Sequence, residues 1–176
     1  MIRKIAITGP ESTGKSTLTK SLADYYNDAF VNEFARDYLH NLGRSYMKND
    51  LLDIAQGQLN NELIQAEKAN RLLFCDTELI NIKIWSLHKY GDCDKWILDK
   101  IKSQDYCLYI LCDVDIPWFY DDLRENPDNR EFFLEWFKRE LKLYNFPYII
   151  VSGENEDDRL KTAINAVNQL LVKQNH

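Results

Sequence analysis

The residues with the clearest chemical meaning form the segment Gly9-Pro-Glu-Ser-Thr-Gly-Lys15-Ser16, which fits the pattern GxxxxGK[ST]. It follows an apolar run and precedes residues with helical spacing. In that position the glycines let backbone N–H groups turn around phosphate oxygens, and the helix N-terminus adds positive potential. The lysine would reach the β- and γ-phosphates, and the serine hydroxyl would hold Mg²⁺. The pattern therefore predicts a P-loop that binds ATP and Mg²⁺.

A second candidate is Asp76, which ends the apolar run Leu72-Leu73-Phe74-Cys75. A carboxylate at the end of such a strand is expected beside the magnesium ion on Ser16. Because many apolar strands end in aspartate, a plain helix cap is the alternative interpretation. Glu78 lies two residues further on and is equally well explained as a charge in the first turn of a helix.

Two arginines, Arg124 and Arg130, lie in residues 113–130, which mix prolines and acidic residues without clear periodicity. A long irregular segment of this kind is typical of a functional loop. We expect it to act as a lid from which at least one arginine stabilises charge on a transferred phosphoryl group. A solvated charged loop with surface ion pairs is the alternative.

Glu33 and Arg36 follow the second predicted strand and are candidates for contacting the substrate that accepts the phosphoryl group. A carboxylate there would take a proton from an attacking hydroxyl, although Asp76 competes for that role, and an arginine would orient an oxygen. The alternative is that Glu33 and Arg36 form an ion pair at the strand end with no role in function. Trp118 would either stack on a flat ring or fill the core. Gln58 follows a glycine that is unfavourable inside a helix, which indicates close packing or substrate approach.

The spacing of apolar residues predicts the elements that position these side chains. Strands are expected at residues 2–8, 29–31, 71–76, 106–112 and 147–151. Helices are expected at residues 15–26, about 50–69, 78–90, 94–103, 131–144 and 157–172, with Asn49 or Asp50 capping the second. This alternation favours a five-stranded parallel sheet with helices on both faces, the three-layer α/β sandwich of P-loop NTPases. Ligands bind at the carboxyl ends of such strands.

Length and composition limit the classes of protein that fit. The chain has 176 residues, 45% hydrophobic and 28% charged, so we expect one compact domain over residues 1–176. With 22 basic and 28 acidic residues the net charge is -6, which argues against nucleic acid as a partner. The apolar runs are too short for a membrane span, and the N-terminus has no signal-peptide pattern. We therefore expect a cytoplasmic protein with no membrane partner.

Five segments together are more specific than the P-loop alone. They are Gly-Pro-Glu-Ser-Thr-Gly-Lys-Ser-Thr, Asn-Glu-Phe-Ala-Arg-Asp, Ile-Ala-Gln-Gly-Gln, Phe-Cys-Asp-Thr-Glu and Ile-Pro-Trp-Phe-Tyr-Asp-Asp-Leu-Arg. Over nearly the whole chain this set resembles the nicotinamide riboside kinase domain of the NadR family, an AAA-like P-loop domain. The resemblance implies ATP-dependent phosphorylation of nicotinamide riboside to nicotinamide mononucleotide, a step of NAD biosynthesis. Because the further domains that members often carry do not fit this length, a stand-alone kinase is expected.

The resemblance also implies roles for individual residues. The implied ATP contacts are Gly9, Glu11, Ser12, Thr13, Gly14, Lys15, Ser16, Thr17 and Arg124. The implied acceptor contacts are Glu33, Arg36, Gln58, Asp76, Trp118 and Asp121, and the implied metal ligands are Ser16 and Asp76. Chemistry is expected from Lys15, Glu33, Asp76, Arg124 and Arg130. For the adenine we expect contacts from Ser152 and Gly153, which follow the last predicted strand.

Two other functions remain open at this point. The first is a kinase that acts on a different nucleoside or nucleotide. The second is a regulatory P-loop ATPase that signals through a protein partner. Against a GTPase, Asp76-Thr-Glu-Leu79 is not a DxxG element and the chain has no NKxD motif. The oligomeric state is left open by the sequence.

Overall fold

The five-stranded parallel sheet predicted from the sequence is confirmed in the computed structural model, which describes residues 2–126 and 128–172. Its strands are β1 (Arg3–Thr8), β2 (Ala29–Val31), β3 (Leu72–Asp76), β4 (Leu108–Cys112) and β5 (Tyr148–Val151). They lie in the order β2-β3-β1-β4-β5, and every paired neighbour is parallel. All carboxyl ends therefore meet at one edge, with β1 in the centre. Pro127 of the predicted lid lies outside the described residues.

Helices connect the strands and cover both faces of the sheet. They are α1 (Lys15–Tyr26), α2 (Phe34–Asn41), α3 (Lys48–Ala66), α4 (Leu79–Tyr90), α5 (Lys95–Lys102), α6 (Arg130–Leu143) and α7 (Glu156–Val172). Successive residues of β1 point to opposite faces, so Ile5 and Ile7 join one core and Ala6 the other. The first core is shared with α1 and α7, and the second with α2, α3, α4, α5 and α6. Both faces of β3 and β4 are thereby buried, which explains their nearly continuous apolar sequences.

One helix, α2, was not among the elements expected from the sequence. It has eight residues, its N-cap Glu33 makes no side-chain capping bond, and Ala35 is its buried residue. A helix this short leaves little periodicity for pattern reasoning to detect. Its consequence is functional, because α2 starts directly after β2 and carries Arg36 at the carboxyl edge of the sheet.

The start of α3 also differs from the expectation of a cap at Asn49 or Asp50. The helix begins at Lys48, and Asp50 lies in its first turn, where its carboxylate accepts from the Met47 N–H at 2.6 Å. The same carboxylate pairs with the guanidinium of Arg44 at 2.7 and 2.8 Å. These contacts hold the pKa of Asp50 well below its usual range, with the Arg44 bonds as the largest cause. Asp50 therefore ties the α2–α3 loop to α3.

Close packing between α2 and α3 explains the glycine inside α3. A Cβ atom built on Gly57 would lie 2.1 Å from Cε1 of Phe34, far inside van der Waals contact. The adjacent Gln58 accepts from the Phe34 N–H at 3.0 Å. The two helices can therefore approach closely because Gly57 has no side chain.

Within residues 2–126 and 128–172, none of the helices combines the length and apolar character that a membrane span requires.

We predict that Gly57→Ala destabilises the protein by about 1 to 3 kcal/mol in chemical denaturation, although alanine is the better helix former by about 1 kcal/mol. The overlap with the Phe34 ring outweighs the propensity gain. The control is Phe34→Ala, in which the ring is absent. Gly57→Ala added to that variant should be neutral or stabilising, and a second loss of similar size would contradict the packing explanation.

Candidate active site

The P-loop turns directly over the end of β4. Gly9 has φ of +134°, and a Cβ atom there would lie 2.8 Å from the carbonyl oxygen of Cys112. Both the backbone conformation and the close approach therefore require glycine at this position. Gly14 has φ of +77° and is followed at once by α1, so the free N–H groups of the helix face the inside of the loop.

Internal and external hydrogen bonds hold the loop in shape. The Thr13 hydroxyl and the Lys15 ammonium group both donate to the Pro10 carbonyl at 2.7 Å. From α7, the Arg159 guanidinium donates to the Thr13 carbonyl at 2.8 Å and pairs with Asp115 at 2.5 Å. Arg159 is 4% exposed and was missed by sequence reasoning, because it lies in a helix far along the chain with no motif around it. Arg159 therefore links α7 to the P-loop and to the start of the lid.

Asp76 lies at the end of β3 with 3% exposure, and its Oδ1 has no hydrogen-bond partner among the residues that the structure describes. Burial raises its pKa, while the nearby Ser16 hydroxyl and Lys15 ammonium group oppose that shift. An orphaned buried carboxylate oxygen next to a serine hydroxyl suits a hard cation with oxygen ligands. Ser16 and Asp76 therefore fit a magnesium site.

The neighbouring residue Glu78 has a structural role. Its carboxylate caps α4 by accepting from the Ile80 N–H at 2.6 Å, and it also accepts from the Thr8 hydroxyl at 2.9 Å. The side chain is fully buried, and burial raises its pKa to about 7. The sequence predicted a charge in the first turn of this helix, and these contacts place Glu78 one position earlier, at the N-cap.

A cavity of about 260 Å³ extends from the P-loop into the space between α2, α3, α4 and α6. Its polar end is lined by residues 9–17, Glu33, Arg36, Gln58 and Arg124. Its far wall contains Leu39, Ile54, Ile82, Ile84, Trp85, His88, Phe133 and Phe137. The apolar wall was not anticipated, because helical periodicity does not distinguish core positions from the lining of a cavity.

Glu33 is half-buried in this cavity. Burial is the largest influence on its carboxyl group and raises the pKa, Lys15 opposes the shift, and the nearby Asp76 adds to it. A carboxyl group with a raised pKa is better matched to general-base work near neutral pH than an ordinary glutamate. Its position on the cavity wall distinguishes it from Asp76, which is not part of that wall.

A chain of hydrogen bonds through Tyr46, in the loop before α3, connects α4 to the lid at the cavity wall. The Trp85 indole N–H donates to the Tyr46 hydroxyl at 2.7 Å, and that hydroxyl donates to Glu125 at 2.9 Å. Lys89 lies 3.6 Å from the centre of the Tyr46 ring and pairs with Glu125 at 3.3 Å. The Trp85 ring is therefore held in one orientation at the cavity wall.

The two predicted lid arginines take different positions. Arg124 lines the cavity, and its guanidinium donates to the Phe119 carbonyl at 2.5 Å. Arg130 lies outside the lining and donates to the carbonyls of Ser12 and Ile116, both at 3.0 Å. The structure therefore places Arg124 toward the cavity and Arg130 between the lid and the P-loop.

Three of the expected acceptor contacts bond to other protein groups. Arg36 pairs with Asp121 at 2.9 Å, which links α2 to the lid. Gln58 is 2% exposed, and its amide contacts the carbonyls of Asp76 and Thr77 at 3.4 Å. Arg36 and Gln58 still line the cavity, whereas Asp121 does not.

The remaining sequence candidates lie away from the cavity lining. The Trp118 indole N–H donates to Glu11 at 3.2 Å. The Ser152 hydroxyl donates to Asp113 at 2.7 Å, and the Gly153 N–H donates to Asp115. The loop after β5 is therefore fixed to the first residues of the lid.

A family model and two curated relatives each match most of the chain. A family model described as an AAA domain matches residues 4–159, which is most of the chain. The chain belongs to this family. It is also 28% identical to the trifunctional NAD biosynthesis/regulator protein NadR of Salmonella typhimurium and 27% identical to that of Escherichia coli, over 98% of its length in both cases. It spans 44% of the length of each of these relatives.

Solved structures extend the similarity of the fold. A NadR protein in complex with NR superposes with a TM-score of 0.76 at 21% identity, over 96% of this chain and 50% of that one. Deoxyadenosine kinase from M. mycoides superposes with a TM-score of 0.65 at 16% identity, over 94% of this chain and 99% of that one. At these identities the likeness establishes the fold.

We predict that Gly9→Ala abolishes the rise in melting temperature that ATP produces, because its Cβ would displace the loop from the Cys112 carbonyl. Gly91→Ala is the matched control: Gly91 also has positive φ, at +75°, but a Cβ atom there meets nothing within 4 Å. That variant should keep the full ATP response. Equal responses in both variants would contradict the packing argument.

Proposed function

We propose that the chain is an ATP-dependent small-molecule kinase that phosphorylates nicotinamide riboside to nicotinamide mononucleotide. The observation that carries the proposal is the continuity of one cavity from the P-loop to Glu33 and on to an apolar wall with Trp85. A donor phosphate and a ring-bearing acceptor would meet where the carboxylate lies. Similarity to NadR over 98% of the chain supports this acceptor.

Solved NadR complexes support both substrates. One holds nicotinamide riboside, and another holds NAD and AMP-PNP, an analogue of ATP. The fold is also that of deoxyadenosine and thymidylate kinases, whose acceptors likewise carry a sugar and a ring. Their presence among the neighbours makes other nucleosides the principal rival acceptors.

The proposed reaction is in-line transfer of the γ-phosphoryl group to the 5′-hydroxyl of the riboside. Lys15 and the N-terminus of α1 hold the phosphates, and Arg124 balances the charge that develops on the transferred group. Glu33 accepts the proton of the attacking hydroxyl. Ser16 and Asp76 would hold Mg²⁺, which supplies further positive charge to the β- and γ-phosphate oxygens when bound.

Glu33 is preferred over Asp76 as the base because of where the two carboxylates lie. Glu33 is on the cavity wall, whereas Asp76 lies under the P-loop beside Ser16 and suits the metal. Asp76 also has the buried, unpartnered oxygen that a cation would complete. This division gives each carboxylate one task.

We further propose that residues 1–176 act as one kinase domain with the lid at residues 113–130. The net charge of -6 favours a small-molecule substrate over nucleic acid. The proposed setting is the cytoplasm, where ATP is supplied.

The direct test is a coupled assay of ADP formation with ATP, Mg²⁺ and a panel of acceptors containing nicotinamide riboside, thymidine and deoxyadenosine. We expect the highest kcat/KM with nicotinamide riboside. A clear preference for another nucleoside would reassign the acceptor. Turnover with none of them, together with slow ATP hydrolysis that a protein partner raises, would favour a regulatory ATPase instead.

We predict that Glu33→Gln lowers kcat by about 10² to 10⁴, because the amide cannot accept the proton. In the wild type the base works in its ionised form, so kcat/KM should fall as the pH drops through the raised pKa of Glu33. The variant should lose that acidic limb. A variant that keeps both the rate and the limb would exclude Glu33 as the base.

A further inference from the structure

Glu11 lies in the P-loop, yet its carboxylate is used by the lid. Its Oε1 accepts from the Trp118 indole N–H at 3.2 Å and from the Asn126 N–H at 2.7 Å. Its Oε2 accepts from the Glu125 N–H at 3.0 Å. Hydrogen bonds to an ionised carboxylate are about twice as strong as neutral ones. Three such bonds converge on one P-loop side chain.

The neighbouring residue, Ser12, adds a second attachment. Its hydroxyl oxygen accepts from the Phe119 N–H at 3.0 Å, and its carbonyl accepts from Arg130 at 3.0 Å. The lid is therefore bound to two consecutive P-loop residues, at its middle and near its end.

Arg124 lies between these attachments. The N–H of Glu125 belongs to the planar peptide unit that starts at the Cα of Arg124, so fixing that N–H also fixes the backbone from which the Arg124 side chain leaves. At its other end, the guanidinium bonds to the carbonyl of Phe119, whose own N–H is held by Ser12. Hydrogen bonds to the P-loop therefore fix the arginine at its backbone, through Glu11, and at its guanidinium, through Phe119 and Ser12.

We propose that Glu11 is a positioning residue that holds the lid on the P-loop and so fixes Arg124 at the phosphate end of the cavity. The proposal rests on the kinase function proposed above, and it reassigns Glu11 from the nucleotide contact expected from the sequence. A carboxylate in a phosphate-binding loop would repel a polyphosphate, and engagement by three donors offsets that repulsion.

The first test compares kcat and KM in variants at residue 11. Glu11→Ala should lower kcat about 100-fold with the KM for ATP unchanged, because a small misplacement of a catalytic group has an effect of that size. Glu11→Gln should lose about tenfold, since the amide keeps one acceptor oxygen. Glu135→Ala is the matched control, because Glu135 is an exposed glutamate on α6 paired with Lys138; it should leave kcat unchanged.

The decisive comparison is a double-mutant cycle with Arg124→Ala. If Glu11 acts through Arg124, Glu11→Ala should cost less than about twofold in the variant that lacks the arginine. Full multiplication of the two losses would overturn the proposal. A raised KM for ATP with unchanged kcat would overturn it as well, because Glu11 would then be a nucleotide ligand.

Amide hydrogen exchange tests, without any turnover, the attachment of the lid to Glu11, which we call the clamp. Exchange in the peptide that carries Glu125 and Asn126 should be faster in Glu11→Ala than in the wild type, with equal exchange in the strands of the sheet. Unchanged exchange in that peptide would overturn the clamp. If the wild type forms no ADP with any acceptor, the kinase function fails while exchange still decides the clamp. If Glu11→Ala does not fold, Glu11→Gln carries the same comparisons.

Discussion

The close approach of the Gly9 backbone to the end of β4 is the contact on which the site depends. The loop passes within contact distance of the Cys112 carbonyl, at the end of the strand next to the central strand β1. At that place the N–H groups of the loop and of the start of α1 can bind phosphate oxygens. Three carbonyls of the loop, those of Pro10, Ser12 and Thr13, accept hydrogen bonds from side chains. These are held by Thr13, Lys15, Arg130 and Arg159, so elements from both ends of the chain meet at the P-loop.

A second constraint is the balance of charge at the carboxyl edge of the sheet. Asp76 and Glu33 are both drawn away from water there, and burial raises the pKa of each. Lys15 and Arg36 oppose both shifts, and Arg124 opposes that of Glu33. Carboxylates gathered in this way can bind a cation or accept a proton, whereas the phosphates of ATP need the positive potential of basic side chains and of the P-loop N–H groups. Lys15, Arg36 and Arg124 line the cavity and supply positive charge there, although the net charge of the chain is -6.

The parts of the structure that local sequence predicts are those with a strong repeat or a fixed motif. The five strands follow from apolar runs, and the P-loop follows from glycines whose backbone conformations other residues avoid. Helix α2 was not predicted, because eight residues with one buried side chain give little periodicity. The role of Arg159 was not predicted for a different reason. The carbonyl that accepts its hydrogen bond belongs to Thr13, 146 residues away in sequence. Partner choice by long side chains, as in Arg130 and Trp118, depends on such tertiary contacts.

The proposed function requires the cavity to bring a phosphate donor and a ribosyl hydroxyl together for direct transfer. Phosphorus NMR of a mixture of the protein, ATP, Mg²⁺ and nicotinamide riboside tests this most directly. We expect loss of the γ-phosphate signal to be matched by a new phosphomonoester signal coupled to the 5′-methylene protons of the riboside. Appearance of inorganic phosphate alone, with no phosphomonoester, would contradict direct transfer.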